Sequence, residues 1–213
     1  VAPPRQRLSS EDRRQQLIGK AVELFSRRGF SGTRTRDIAA ACGVSEAILF
    51  RHFATKEDLY RAILDSHGCG AGRPEWTREM KRLAAARDDR GLIGGVVNRI
   101  LTEFRENAAF HRLMHYAWLE GHALAELAHQ QLGKPTFDFL RRYIALRQRE
   151  GAFRAGDPGT LVVALYAPAL QFATAKYLYG MEILQQDDRA TAAQFTELLL
   201  AGLRAPQRKK LGS

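Results

Sequence analysis

Apolar side chains recur at three- and four-residue steps from about position 16 almost to the end of the chain, and no stretch alternates apolar and polar between turn residues. A period near 3.6 builds helices with one apolar stripe, whereas a period of 2 builds half-buried strands, so the pattern fixes the class as all-α. The 213 residues, 45% hydrophobic and 26% charged, suffice for a packed core in one or two domains. Two cysteines, Cys42 and Cys69, are too few for a disulfide scaffold. No uninterrupted apolar run reaches the roughly 20 residues that span a bilayer, and Val1-Ala-Pro-Pro-Arg-Gln-Arg lacks the apolar segment of a secretory signal. A cytoplasmic protein with reduced thiols and no membrane contact is expected.

The pattern divides into discrete helices. The first is expected from about Ser10 to Arg28, with Leu17, Ile18, Ala21, Val22, Leu24 and Phe25 on one stripe, stopped by Gly29. Thr33 stands where an N-cap belongs, before a short helix that ends at Cys42-Gly43. Ser45 is the natural N-cap of a third short helix through His52, and Thr55 with Asp58 resembles a capping box for a fourth. Gly68, Gly70, Gly72 and Pro74 interrupt the periodicity and set a domain boundary. Further helices are expected over about 76–86, 92–106 and 110–120, then a long one to Glu150 broken near Gly133 and Pro135. Asp157-Pro158 opens a mostly apolar helix to Tyr179, expected to be buried on most sides and kinked at Pro168. The last helix covers about Ala190 to Arg204. The divisions are a flexible arm over 1–9, a first domain over 10–66, a second over 67–205 and a flexible tail over 206–213.

Two short helices joined at Cys42-Gly43-Val44-Ser45 make a helix-turn-helix. Ile38, Ala39 and Cys42 can meet Val44, Leu49 and Phe53 over a small core, while Gly43 permits the tight turn. The second short helix then turns Glu46, Ala47, Ile48, Phe50 and Arg51 outward, where base edges of a major groove can be read. Ile48 suits a thymine methyl, and Glu46 can accept from a cytosine amine. The net charge of +10 fits a phosphate-bearing partner, although it is spread over both domains rather than concentrated in the first.

Residues 13–64 resemble the DNA-binding domain of the TetR family of bacterial transcriptional regulators. The resemblance rests on Ala21-Val-Glu-Leu-Phe, Gly29-Phe-Ser-Gly-Thr, Arg36-Asp-Ile-Ala-Ala-Ala-Cys-Gly-Val-Ser and Leu49-Phe-Arg-His-Phe-Ala-Thr-Lys-Glu-Asp-Leu-Tyr, all in register. It implies an N-terminal three-helix helix-turn-helix DNA-binding domain, plus a C-terminal helical domain that binds a small-molecule ligand and dimerises. It further implies that Thr33, Arg34 and Arg36 touch phosphate or a base edge, that Ser45 and Ala47 open the recognition helix, and that Phe50 and His52 lie on its exposed side. Lys56 would meet a backbone phosphate. The family commonly has Tyr where this chain has Phe50, so no hydroxyl is offered to phosphate there.

Double-stranded DNA is thus the expected partner, read by a homodimer joined through the last two helices. Gly159, Ala164, Ala167 and Ala169 on one helix, with Ala193 and Gly202 on the other, permit their close approach. A single recognition helix spans few base pairs, and a symmetric pair reads a palindrome. Aromatic and soft side chains collect in the middle helices, and Met114, His115, Trp118, Phe137, Tyr166, Gln171 and Phe172 are the candidate lining of a pocket for an apolar or aromatic effector. His111 and His115 have chelating spacing, but no Cys, Asp or Glu completes a set, so no metal or other cofactor is expected. No nucleophile elbow, phosphate-binding loop, dinucleotide fingerprint or metalloprotease motif occurs, which excludes the common enzyme classes. The alternative is a DNA-binding regulator without a small-molecule effector, controlled by redox state, metal or a protein partner. Cys69 in His67-Gly-Cys-Gly would carry the redox version.

Overall fold

The computed structural model describes residues 8–68, 73–182 and 184–205. The tail, almost all of the arm, Cys69 and much of the glycine-rich boundary lie outside those residues. Among the described residues, eleven α-helices run α1 (Ser10–Arg28), α2 (Thr35–Ala41), α3 (Glu46–His52), α4 (Lys56–Gly68), α5 (Arg73–Ala85), α6 (Asp89–Glu106), α7 (Ala108–Leu119), α8 (Ala123–Ala128), α9 (Lys134–Arg149), α10 (Pro158–Ala173) and α11 (Asp188–Leu203). Among the described residues no strand forms; β pairing is limited to an isolated bridge between Phe153 and Arg204. The expected long segment ending at Glu150 is two helices, α8 and α9, separated by a π-helical turn over His129–Gly133, with Pro135 in the first turn of α9.

The chain forms two compact units. The first comprises Val1–Gly70 with Ala109–His129, and the second Ala71–Ala108 with Gln130–Ser213. A single boundary at residue 67 is therefore not how the chain packs. Glycine and proline mark where a helix stops, not which unit a later helix returns to.

In the first unit, the stripe of α1 buries Leu17, Ile18, Ala21, Val22 and Phe25 against Leu59, Tyr60, Ile63 and Leu64 of α4. Each fully buried side chain of this size contributes about 2 kcal/mol. Ser9 caps α1 by accepting from the Asp12 N–H at 3.0 Å. Gly29 ends it at φ +69°, and a Cβ there would meet the Glu120 carboxylate. The left-handed backbone selects glycine; the carboxylate, at the far end of an exposed side chain, could move aside. His122 closes the aromatic cluster of Phe25, Phe30 and Tyr60, its ring centroid 4.2 Å from that of Phe30 and 5.7 Å from that of Tyr60. The segment after α7 therefore completes the core that α1 and α4 begin.

In the second unit, α6 is central, packed on α5, α10 and α11. Its Leu92, Ile93, Val96, Val97, Leu101 and Phe104 are buried with Leu140, Ile144, Val162, Leu165 and Leu200. Asp157 caps α10 by accepting from the Thr160 N–H at 2.7 Å, and Pro158 follows at the first helical position.

The expectation that the apolar segment from Pro158 is buried on most sides fails. Val162, Leu165, Ala169 and Ala173 face the core, whereas Val163 is 59% and Leu170 41% exposed. The stretch Pro158–Leu178, including a π-helical turn over Thr174–Leu178, has a mean hydropathy of 1.3 and is long enough to cross a bilayer, yet only a third of it is buried. Its far end is fastened within this unit: Tyr177 donates to Asp188 at 2.5 Å and Lys176 at 3.0 Å.

Candidate nucleic-acid interface

Two seven-residue helices cannot stand alone, because nucleation leaves too few intrahelical hydrogen bonds to offset chain ordering. Here α2 and α3 are held by a shared core of Ile38, Ala39, Cys42, Leu49 and Phe53, all buried. The turn between them is closed by backbone hydrogen bonds from Gly43 to Ala40 and from Val44 to Ala39, each 3.0 Å, with Gly43 at φ +66°. Two arginines of α1 brace it. The Arg14 guanidinium lies 5.1 Å from the Phe53 ring centroid, and Arg13 donates to the Cys42 carbonyl at 3.4 Å. Burial pushes the Cys42 thiol up from its ordinary pKa, as suits a small core residue.

The side chains expected on the outward side of α3 differ in exposure. Ala47 and Arg51 are exposed, Phe50 is 44% exposed, and Glu46, Ile48 and His52 are half-buried. Ser45 occupies the N-cap position and is exposed, but its hydroxyl makes no capping hydrogen bond. Arg34 and Arg36 are exposed at the start of α2, with Arg36 3.9 Å from Asp37. Thr35 was not among the expected site residues, yet its hydroxyl donates to the Glu46 carboxylate across the turn. The two residues open different helices, so only the folded turn brings them together.

Two expectations are corrected. Thr33 is neither the cap of α2, whose N-cap position is Arg34, nor a group presented to phosphate. Its side chain is buried, and its hydroxyl donates to the Gly29 carbonyl at 2.9 Å. Lys56 is turned inward: its ammonium donates to the Phe30 carbonyl and sits 4.0 Å from the centroid of the Phe30 ring. Burial holds its pKa below the ordinary lysine value, with Glu57 and Glu120 opposing that shift. Thr55 and Asp58 do form the reciprocal cap of α4, at 3.0 and 3.1 Å.

The candidate effector residues are divided. Met114, His115 and Trp118 lie on α7 in the first unit, with Trp118 53% exposed. Phe137, Tyr166 and Phe172 are half-buried in the second unit, where Gln171 is exposed on α10. A groove of about 790 Å³ does open within the second unit, between α5, α6 and α11, lined by residues such as Trp76, Met80, Asn98 and Arg189 and by none of those seven. Among the described residues, no three His, Cys, Asp or Glu side chains gather as a metal site.

Residues 17–63 match the family model described as bacterial regulatory proteins, tetR family. The chain is 41% identical over 61 residues to the HTH-type transcriptional activator FasR of Mycolicibacterium smegmatis, covering 29% of this chain and 28% of FasR. It is 44% identical over 52 residues to the HTH-type transcriptional repressor Rv3405c of Mycobacterium tuberculosis, covering 24% and 28%. These matches thus span less than a third of the relatives' length. The crystal structure of a HlyIIR mutant protein superposes with a TM-score of 0.69 at 17% identity, over 94% of this chain and all of that one, which shows a shared fold. The likeness to the bacterial regulatory proteins of the tetR family is thus carried by residues 17–63, within the helix-turn-helix that α1 to α4 build.

Proposed function

We propose that the protein is a homodimeric transcriptional regulator, most simply a repressor, that binds a palindromic operator through α3 and is released by a small apolar or aromatic effector. One observation carries the reading: α3 is fixed on its inner side by Leu49 at 0% exposure, while Ala47, Phe50 and Arg51 stand exposed on the other side. A rigid helix with an uncommitted outer face is what entry into a major groove requires. Arg34, Arg36 and Arg51 supply phosphate or base contacts, and Ser45, Glu46, Ala47, Ile48, Phe50 and His52 lie along the reading side.

Dimerisation is supported by the exposed apolar side chains of the last two helices, Val163 and Leu170 on α10 and Leu198, 64% exposed, on α11. Exposed apolar groups on adjacent helices favour burial against a second copy. A pair of recognition helices about 34–36 Å apart would then read two half-sites one helical turn apart. The effector candidates are Met114, His115 and Trp118 in the first unit and Phe137, Tyr166, Gln171 and Phe172 in the second. An effector releases DNA only as far as it binds the two states of the protein unequally.

Random-site selection followed by a salt titration tests the reading. The expected outcome is an enriched palindrome whose affinity falls steeply with salt. A flat salt response, or no enriched sequence, overturns it.

A further inference from the structure

The hydrogen bond from Thr35 Oγ1 to Glu46 Oε1 joins the first residue of α2 to the first residue of α3. Both side chains are half-buried. An ionised carboxylate is acceptor-only, so with Oε1 engaged by the threonine, Oε2 remains an acceptor held in a restricted orientation. A free glutamate would lose that freedom only on meeting DNA; here much of the loss is incurred on folding. The next residues on the reading side, Ala47, Ile48 and Phe50, carry no side-chain donor or acceptor. The beginning of the reading face therefore presents the Glu46 acceptor, held by Thr35, between the free-turning Ser45 hydroxyl and apolar surface.

In the major groove, cytosine offers only its N4 amino donor. Thymine O4 and guanine O6 and N7 are acceptors, and adenine sets its N6 donor beside the N7 acceptor. A carboxylate is attracted to the first, repelled by the second and third, and met by mixed signs on adenine. We infer that Thr35 is a positioning residue that aims Glu46, so that α3 selects cytosine through its N4 amino group at one position of each half-site and rejects guanine and thymine there. The inference rests on the DNA-reading role proposed above.

The test compares the full-length wild type with E46Q, T35V and T35S by random-site selection and competition binding. Melting temperature and the salt dependence of binding are measured for all four. Wild type should prefer cytosine over thymine or guanine about tenfold at one half-site position. E46Q should shift that position toward adenine, because a glutamine amide pairs with N6 and N7 together. T35V should flatten the preference to below about threefold, and T35S, which restores the hydroxyl, should return it. The salt slope should be the same in all four, since no phosphate contact changes. If E46Q and T35V keep the wild-type base preference, the inference falls while the helix-turn-helix reading stands. A T35V protein with a reduced salt slope and lowered melting temperature also overturns it, because Thr35 would then support the fold rather than aim Glu46. If the wild type itself enriches no sequence, both readings fall together.

Discussion

On the reading side of the helix-turn-helix, Arg34 and Arg51 are exposed and enter no ion pair among the described residues, whereas the second unit ties its charges to one another. There Arg147 grips Asp89 with two hydrogen bonds of 2.8 Å, Tyr143 donates to the same carboxylate at 2.5 Å, and Arg87 and Arg147 share Glu150. The Asp188 carboxylate is likewise engaged by Tyr177, Lys176 and Arg105. Charges that are satisfied internally fix helix positions but offer nothing to a partner. Charges left unsatisfied on a rigid support are what a polyanion can use. That difference separates scaffold from interface better than net charge does, since basic residues are in excess in both the first 66 residues and the remainder.

Removing the support of α3 does the most damage. Leu49→Ala deletes a fully buried side chain from the shared core of α2 and α3. It should cost about 2–5 kcal/mol and abolish DNA binding. Hydrogen exchange should show the loss confined to the first unit. Uniform loss across the chain would mean that the two units do not unfold separately.

Arg147→Met strikes the opposite kind of site. It keeps most of the stem but leaves Asp89 and Glu150 without their shared cation, and the Arg147 side chain is only 14% exposed. A destabilisation of about 3 kcal/mol is expected in chemical denaturation. The intrinsic base preference of the folded protein should not move. A changed operator sequence in this variant would contradict the division of labour drawn above.

Much of the helix-turn-helix was legible because it is local. The stop at Gly29, the turn at Gly43, the Thr55–Asp58 cap and the buried set Ile38, Ala39, Cys42, Leu49 and Phe53 all follow from spacings of a few residues. What stayed hidden depends on long-range closure. The resemblance offered Lys56 and Thr33 to DNA, and only the fold brings the Phe30 and Gly29 carbonyls against them. The return of α7 and α8 to the first unit was invisible for the same reason: the pairing of His122 with Phe30 spans some ninety residues and leaves no periodic trace. In the second unit the helix positions could be read, but the partners of Asp89 and Asp188 could not.

A smaller effect is read through pH. Burial would raise the Asp188 carboxyl, but hydrogen bonds from Tyr177 and Lys176, with the nearby Lys176 and Arg105 charges, hold it below its ordinary value of 3.8. The unfolded chain therefore takes up the proton first as pH falls. The stabilisation from this group is complete above the unfolded value, and it is lost as pH drops through that value toward the lower folded one. Asp188→Asn should lower the melting temperature at neutral pH and flatten its decline between about pH 4 and 2. An acid limb parallel to that of the wild type would assign the sensitivity to other carboxylates.

The smallest effect distinguishes two cations that sequence alone treats alike. Arg36 is exposed at the start of α2, while the Lys56 ammonium is committed to the Phe30 carbonyl and ring. Arg36→Ala should leave the melting temperature unchanged and lower the salt slope of DNA binding by about one, as expected for one lost phosphate contact. Lys56→Ala should do the reverse. It removes an internal charge-assisted hydrogen bond and a cation–π contact, lowering stability by about 1 kcal/mol with the salt slope intact. Lys56→Arg should restore little, because a planar guanidinium does not replace a compact ammonium seated between a carbonyl and a ring. A lowered slope in Lys56→Ala at unchanged stability would show that the lysine leaves the Phe30 carbonyl for phosphate when DNA arrives.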